Sequence, residues 1–306
     1  MKIIVTGGAG FIGSHVADAY LAAGHQVVVI DNLATGVRSN VPRRAKFYQA
    51  DIRETKKIDA IFRRERPQMV NHHAALASVT VSVREPAAIM QTNLVGTVNL
   101  LAAFSKYRAD KNGKFIFAST GGAMYGSPRH LSADENTPPN PTSPYGLSKL
   151  FSEQAVRFFA REHRFEYLIF RYANVYGPRQ RTNGEAGIVP IFHDLIRAGQ
   201  RPKIFGDGTK TRDYVFVGDV VQANVLALGR GKNTILNIGC GREISDLAMF
   251  QAIARASNYD RPPLFVPYRA GEVRRIALDA RRAKKILGWR PTVKLEQGVP
   301  RTIKAG

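Results

Sequence analysis

Over its first 170 residues this 306-residue chain alternates short apolar runs with longer amphipathic stretches. Lys2–Thr6, Gln26–Asp31 and Lys46–Gln49 are short and β-branched or aromatic, and read as strands; Val70–Asn71 and Phe115–Ala118 read as two more. Between them Phe11–Ala23, Glu54–Arg64 and Pro86–Tyr107 carry apolar residues at helical spacing. Repeated strand-helix units predict a parallel sheet with right-handed crossovers and helices on both faces. Ser132–Pro144 is rich in Pro, Asn and Ser, which predicts a loop, with a long helix opening directly after it. From about Arg171 the alternation turns irregular, with loops over Gly177–Gly187 and Gly206–Thr211. The pattern therefore predicts a main domain over 1–170. A smaller lobe over 171–306 covers it, and some of that lobe's segments return to the main sheet.

Gly7, Gly10 and Gly13 stand in GGAGFIG, directly after the first strand and at the opening of the first helix. Glycines at this spacing permit a tight turn, close approach of backbone to a pyrophosphate, and tight helix–strand packing. The helix N-terminus adds free N–H groups and partial positive charge. Asp31 closes the second strand, 18 residues after Gly13. A carboxylate there accepts hydrogen bonds from ribose hydroxyls and repels a 2′-phosphate, which favours NAD over NADP. Asp51 and Ile52 follow the third strand and either hold the adenine or simply close the strand. The fold class is α/β: a Rossmann-type doubly wound parallel sheet with an interleaved C-terminal substrate lobe.

Tyr145 and Lys149 are four residues apart in SPYGLSK, so a helix places them on one face. Ser143 suits the N-cap and Pro144 the first helical position, which puts Tyr145 in the first turn. The helix dipole and a neighbouring ammonium both favour a phenolate there, and a tyrosine must be made more acidic to serve as a base near neutrality. Gly146 is costly inside a helix turn, so close approach of another group is expected at that point. Upstream, the apolar strand Phe115–Ala118 runs into Ser119 and Thr120, then Gly121 and Gly122. A hydroxyl at the carboxyl end of a central parallel strand lies where ligands bind in such folds. Thr120 either hydrogen-bonds the substrate oxygen or caps its own turn.

Taken together, the glycine triplet, VNHHAALASV, Asn93 in NLVGT, the Ser119-Thr120 strand end and the Tyr145/Lys149 pair resemble the extended short-chain dehydrogenase/reductase family over nearly the whole chain. Within it, STGGAMYG, FRYANVYGP, RDYVFVGDV and RAGEVRRIALD are similar to the UDP-glucose 4-epimerase branch. The resemblance implies NAD as cofactor, contacted by the glycine bend, Phe11, Ile12, Asp31, Asn32, Asp51, Ile52, His73, Ala74, Ala75, Asn93, Ser119, Tyr145, Lys149 and Tyr172. It implies that Tyr145 removes the proton of the sugar 4-hydroxyl, with Lys149 lowering its pKa and binding the nicotinamide ribose. Thr120 assists, hydride moves to NAD, and the flat keto sugar swings about its diphosphate to take hydride back on its other face. Asn174, Arg212, Arg269 and Glu272 match positions that hold the uridine diphosphate, and Val189, within Gly187–Pro190, either belongs to the segment beneath the uracil or serves packing; Glu272 stands where the family pattern has an aspartate. Ile276 is an expected pocket wall. Related dehydratases and decarboxylases carry acids after the strand-end threonine, whereas this chain has Gly121, Gly122 and Ala123, which favours epimerisation. A homodimer through the helix bearing Tyr145 is a further implication.

Composition changes this picture in one respect. The formal net charge is +21, and Arg261–Gly306 alone holds 12 Lys/Arg against 3 Asp/Glu. Such a field attracts polyanions and a diphosphate-bearing substrate alike. The basic residues are dispersed on apparent helices without a nucleic-acid motif, so nucleic acid is not an expected partner. The single cysteine, Cys240, excludes an internal disulfide and fits a reducing cytoplasm. No signal-peptide core and no stretch approaching 18 apolar residues is present, so no membrane partner is expected. His72 and His73 are adjacent and point apart on a strand, with no further ligand at metal spacing, so no metal is expected.

Overall fold

The structure, a computed structural model, describes all residues except 111, 129–131, 183–186, 269–272 and 305–306. In chain order the first half runs β1 (Lys2–Thr6), α1 (Phe11–Ala22), β2 (Gln26–Asp31), β3 (Lys46–Gln49), α2 (Thr55–Glu65), β4 (Met69–His72), α3 (Val79–Arg84), α4 (Pro86–Met90), α5 (Gly96–Tyr107), β5 (Lys114–Thr120), α6 (Pro144–His163) and β6 (Glu166–Tyr172). The second half runs β7 (Asn174–Tyr176), α7 (Ile188–Arg197), β8 (Lys203–Phe205), β9 (Thr211–Arg212), β10 (Tyr214–Phe216), α8 (Val217–Leu226), β11 (Thr234–Ile238), β12 (Ile244–Ser245), α9 (Asp246–Ala256), β13 (Leu264–Val266), α10 (Arg281–Leu287) and α11 (Leu295–Lys304).

Seven strands form one parallel sheet in the order β11-β6-β5-β4-β1-β2-β3. Strand order reverses between β1 and β4, and that is where a crevice opens at the carboxyl ends of the strands. Both faces of the sheet are covered, so its strands are apolar on both sides. Ile3 and Val5 pack with Val16, Tyr20 and Val220, while Ile4 faces the opposite layer with Phe62, Leu100 and Phe104. Each such side chain contributes about 1.5–3 kcal/mol by leaving water. A third cluster, with Tyr176, Val189, Phe192, Phe216, Phe250 and Val299, builds the smaller lobe under α7, α9 and α11.

The apolar runs mark β1, β2 and β3 at their observed bounds. β4 and β5 reach further than their apolar cores because His72 and Lys114, though polar, still pair in the ladder. Residues 170 and 171 fall inside β6, and β11 adds itself to the edge of the sheet from the second half. The run Pro86–Tyr107 is helical throughout but passes through a π turn at Gln91–Val95. By length and a mean hydropathy of 1.3 it could cross a membrane; here half of it is buried, and α5 packs against α2 and α6.

Candidate active site

Gly7 begins the bend in the left-handed region at φ 68°, and a Cβ on it would lie 2.6 Å from Ala74 N, so β1 and the segment after β4 meet through that missing side chain. A Cβ on Gly13 would lie 2.3 Å from Gly7 O, which closes α1 onto the bend. Gly10 differs: the nearest atom to an added Cβ is Gly7 O at 3.2 Å. Gly10 is the N-cap of α1 and offers no side-chain cap, so the first N–H groups of the helix are left for a ligand. The bend, Phe11 and Ile12 line a cleft that runs on to Asp31 and Tyr145.

At one end of the cleft stands Asp31. Its Oδ2 accepts from Ala9 N–H at 3.0 Å and its Oδ1 from Leu33 N–H at 2.8 Å, which aims the carboxylate and leaves a lone pair on each oxygen. Burial pushes its pKa above the ordinary aspartate value, against those two hydrogen bonds. Asp51 and Ile52 share this wall with Asn32, which donates to Asp51 Oδ2 at 2.8 Å. Hydrogen bonds from Arg53 hold the Asp51 carboxyl well below the usual carboxylate range. An uncapped helix start, an open glycine and an aimed carboxylate along one cleft fit a dinucleotide: diphosphate at the bend, adenosine ribose at Asp31.

The other end is built by α6, β5 and β6. Ser143 Oγ accepts from Gly146 N–H at 3.1 Å and Pro144 occupies the first turn, so Tyr145 enters the helix at its start. Gly146 has its reason in Ala123, whose carbonyl oxygen would lie 2.4 Å from an added Cβ. Tyr145 and Lys149 both line the cleft, together with Ser119, Ala74, Ala75, His73 and Tyr172. Lys149 Nζ donates to Ala118 O at 2.8 Å and sits 4.9 Å from the Phe117 ring centroid, so the ammonium is held against the end of β5. His73 stacks on Tyr172, with Nε2 at 3.3 Å from the Tyr172 hydroxyl. Burial, then the charge of Lys149, pulls the His73 pKa down to about 3, so the ring is neutral. His72 contacts Thr6 and Thr97 through its two ring nitrogens.

Thr120 Oγ1 accepts from Ala123 N–H at 3.1 Å. The hydroxyl therefore caps its own turn, and its proton stays available for donation because a hydroxyl accepts and donates at once. Asn174 Oδ1 lies 3.1 Å from where a Cβ on Gly122 would stand, which brings Asn174 beside that turn.

Several expected contacts are not on the cleft wall. Asn93 sits in the π turn, 2% exposed, and spends its side chain on Leu76 N and O and on Ser148 Oγ. Its place is behind the wall, holding the Leu76 segment. Val189 and Ile276 are each 1% exposed within apolar cores. Arg212 lies on β9 and donates to Thr211 O at 2.8 Å. Arg269 and Glu272 lie outside the described residues. The residue organising this half is Asp213, whose buried carboxylate accepts N–H groups from Cys240 (2.8 Å), Gly241 (3.0 Å) and Leu278 (3.1 Å). Burial pushes its pKa up to about 6 despite those three donors. Sequence reasoning also passed over Arg179 and Arg181, which line the cleft from the loop after β7. Arg179 reaches back to α1, with Nη1 at 3.1 Å from Ser14 Oγ and 2.7 Å from Asp18 Oδ2. No local spacing announces that approach.

Sheet order, glycine bend and helix-borne Tyr–Lys pair together define a Rossmann-type dinucleotide enzyme. A family model described as "NAD dependent epimerase/dehydratase family" matches residues 3–239. The chain belongs to that family. It is 40% identical over 310 residues to the UDP-glucose 4-epimerase of Mycolicibacterium smegmatis, covering 99% of this chain and 98% of that one. The fold is similar to a UDP-glucose 4-epimerase of Thermotoga maritima solved with UDP-glucose, with a TM-score of 0.96, 47% identity, and 100% and 98% of the two chains covered. It is also similar to the Thermus thermophilus UDP-glucose 4-epimerase solved with NAD, with a TM-score of 0.93, 40% identity, and the same 100% and 98% coverage.

Proposed function

We propose that this protein interconverts UDP-glucose and UDP-galactose by reversible oxidation at the sugar C4. The observation that carries this reading is the cleft itself: Tyr145 and Lys149 line the same cavity as the open Gly10 bend and Asp31. NAD, when bound, supplies the two-electron oxidation and its reversal. Tyr145 takes the proton from the 4-hydroxyl oxygen and later returns it. Lys149, anchored on Ala118 O, holds positive charge beside that exchange and reaches the nicotinamide ribose. Thr120, already accepting from Ala123, donates its proton to the sugar oxygen. No carboxylate follows Thr120, since Gly121, Gly122 and Ala123 occupy the turn, so elimination lacks a proton donor and the ketone returns to an alcohol. Asn174 and Arg212, with Arg269 and Glu272, are the proposed framework for the uridine diphosphate; guanidinium groups suit a diphosphate through paired N–H donors.

The protein works in a reducing cytoplasm as a homodimer in this reading. Phe151 (44% exposed) and Phe158 (54%) stand two turns apart on α6, and Val79, Val83 and Val95 are exposed on the neighbouring helical segments. An exposed apolar surface of this kind is a partner-binding signature.

Incubating the purified protein with UDP-galactose, UDP-glucose and their N-acetylated analogues tests the function. Conversion of UDP-galactose to UDP-glucose without added cofactor is the expected result, because a cofactor regenerated each cycle stays bound. Turnover of the N-acetylated sugars alone would overturn the substrate assignment.

A further inference from the structure

Beneath the cleft runs a chain of buried polar groups that the proton exchange at Tyr145 does not consume. Ser119 Oγ donates to Glu153 Oε1 at 2.6 Å. Arg171 donates to the same carboxylate through Nε at 2.9 Å and Nη2 at 2.6 Å, and to the Tyr125 hydroxyl through Nη1 at 2.9 Å. Tyr125 donates onward to Asn237 Oδ1 at 2.8 Å. Glu153 is 0% and Arg171 3% exposed. Burial disfavours the charge on Arg171, yet the hydrogen bonds and charge of Glu153 hold its pKa above the ordinary guanidinium value. A buried ion pair of this kind contributes little net stability against an apolar pair of the same size, so stability alone does not account for it.

Its location supplies a reason. Glu153 follows Lys149 by four residues on α6, so the two share a helix face. Ser119 precedes Thr120 at the end of β5, Arg171 precedes Tyr172 at the end of β6, and Tyr125 belongs to the turn after Thr120. One carboxylate therefore joins the helix bearing Tyr145 and Lys149 to the two strand ends that face it. An apolar contact would tolerate sliding along the helix axis. A bidentate guanidinium–carboxylate pair fixes both height and rotation.

Building on the epimerase reading, we propose that Glu153, clamped by Arg171, is a positioning residue that sets α6 against β5 and so fixes Tyr145 and Lys149 relative to Thr120. The pair touches neither sugar nor cofactor in this role; it acts through Ser119 and the helix.

The test compares Glu153→Gln, Ser119→Ala and Arg171→Lys with the holoenzyme, measuring kcat, KM for UDP-galactose, retained NAD and the pH dependence of kcat, all below the melting temperature of each variant. Glu153→Gln keeps the shape but sets one N–H against Arg171. It is expected to lower kcat about ten- to a hundredfold, as small misplacements at a reacting centre do. KM and retained NAD stay within about twofold in Glu153→Gln and Arg171→Lys, since neither residue lines the cleft. The rising limb of kcat moves to higher pH by about half a unit or more, as the ammonium shifts from the phenol. Ser119→Ala removes one charge-assisted hydrogen bond to Glu153 and lowers kcat about tenfold; because Ser119 also lines the cleft, its KM and retained NAD are free to change with it. Arg171→Lys, with one donor in place of the fork, falls between them. Should Glu153→Gln fail to fold, Arg171→Lys, which lies off the cleft wall, decides the matter. A lowered melting temperature with kcat and its pH profile unchanged in the folded variants would overturn the proposal. An inactive wild type that does not retain NAD would instead refute the epimerase reading itself.

Discussion

The two halves of the site are assembled in different ways. Around the dinucleotide, most of the framework closes over short stretches of chain: Gly13 against Gly7, Asp31 onto Leu33 and Ala9, Ser143 onto Gly146, with Gly7 against Ala74 the exception. Around Arg212 and Asn174 it closes over long ones. Asp213 gathers Cys240, Gly241 and Leu278, the last 65 residues away, and its own carbonyl accepts from Asn174 N–H at 2.9 Å. A short-range site is written in spacing, while a long-range one is written in a single buried carboxylate that no spacing reveals.

The sharpest way to break the comparison is at Tyr145, where the halves meet. Tyr145→Phe should lower kcat about a thousandfold while NAD content after purification stays unchanged; comparable turnover in the variant removes the phenol from the mechanism.

Asp213 sharpens the contrast through pH. Unfolded, an aspartate releases its proton near pH 3.8; folded, Asp213 does so at about 6. Between those values the folded state binds the extra proton, so this group favours folding at low pH and its contribution is lost as pH rises to about 6. Wild type should therefore lose about 3 kcal/mol relative to Asp213→Asn between pH 3.5 and 7, read from denaturant midpoints. A stability difference that is flat over that range would show the carboxylate titrating normally.

On the dinucleotide side, Gly13→Ala places a methyl 2.3 Å from Gly7 O. It should cost about 1–3 kcal/mol and release NAD on gel filtration, and a variant that keeps its cofactor would refute the close packing. The smallest expected change is at Asp31→Ala. The preference for NAD over NADP should narrow about tenfold, the scale of one charge-assisted hydrogen bond and one removed repulsion. An identical ratio of dissociation constants before and after would sink the ribose role.

What the chain discloses follows the same division. β-branched runs locate the strands, and a serine followed by proline locates the start of α6, because these are local backbone preferences. The glycine bend and Asp31 were legible as one unit because the ligand they suit spans a single βαβ segment. The π turn at Gln91–Val95 was not legible: its residues have ordinary helical character, and what accompanies the extra residue in the turn is Asn93, bound to Leu76 and Ser148. Arg179 was equally hidden, since its contacts with Ser14 and Asp18 join positions more than 160 residues apart in the chain. Val189 carries no mark that separates a pocket wall from a core residue, and the structure puts it in the core. Glu153 had no partner in view until Arg171 was placed beside it.

The position of β11 has a consequence for how the chain is made. β6 carries Leu168, Ile169 and Phe170, all fully buried, yet its outer neighbour begins only at Thr234. While the ribosome adds the intervening segment, β6 presents a bare row of N–H and C=O groups flanked by apolar side chains. Such an edge invites pairing with other nascent chains. Synthesis therefore passes through an interval of exposure to aggregation that ends when Leu236 and Ile238 emerge, and slowing translation between β6 and β11 should lower the yield of folded protein.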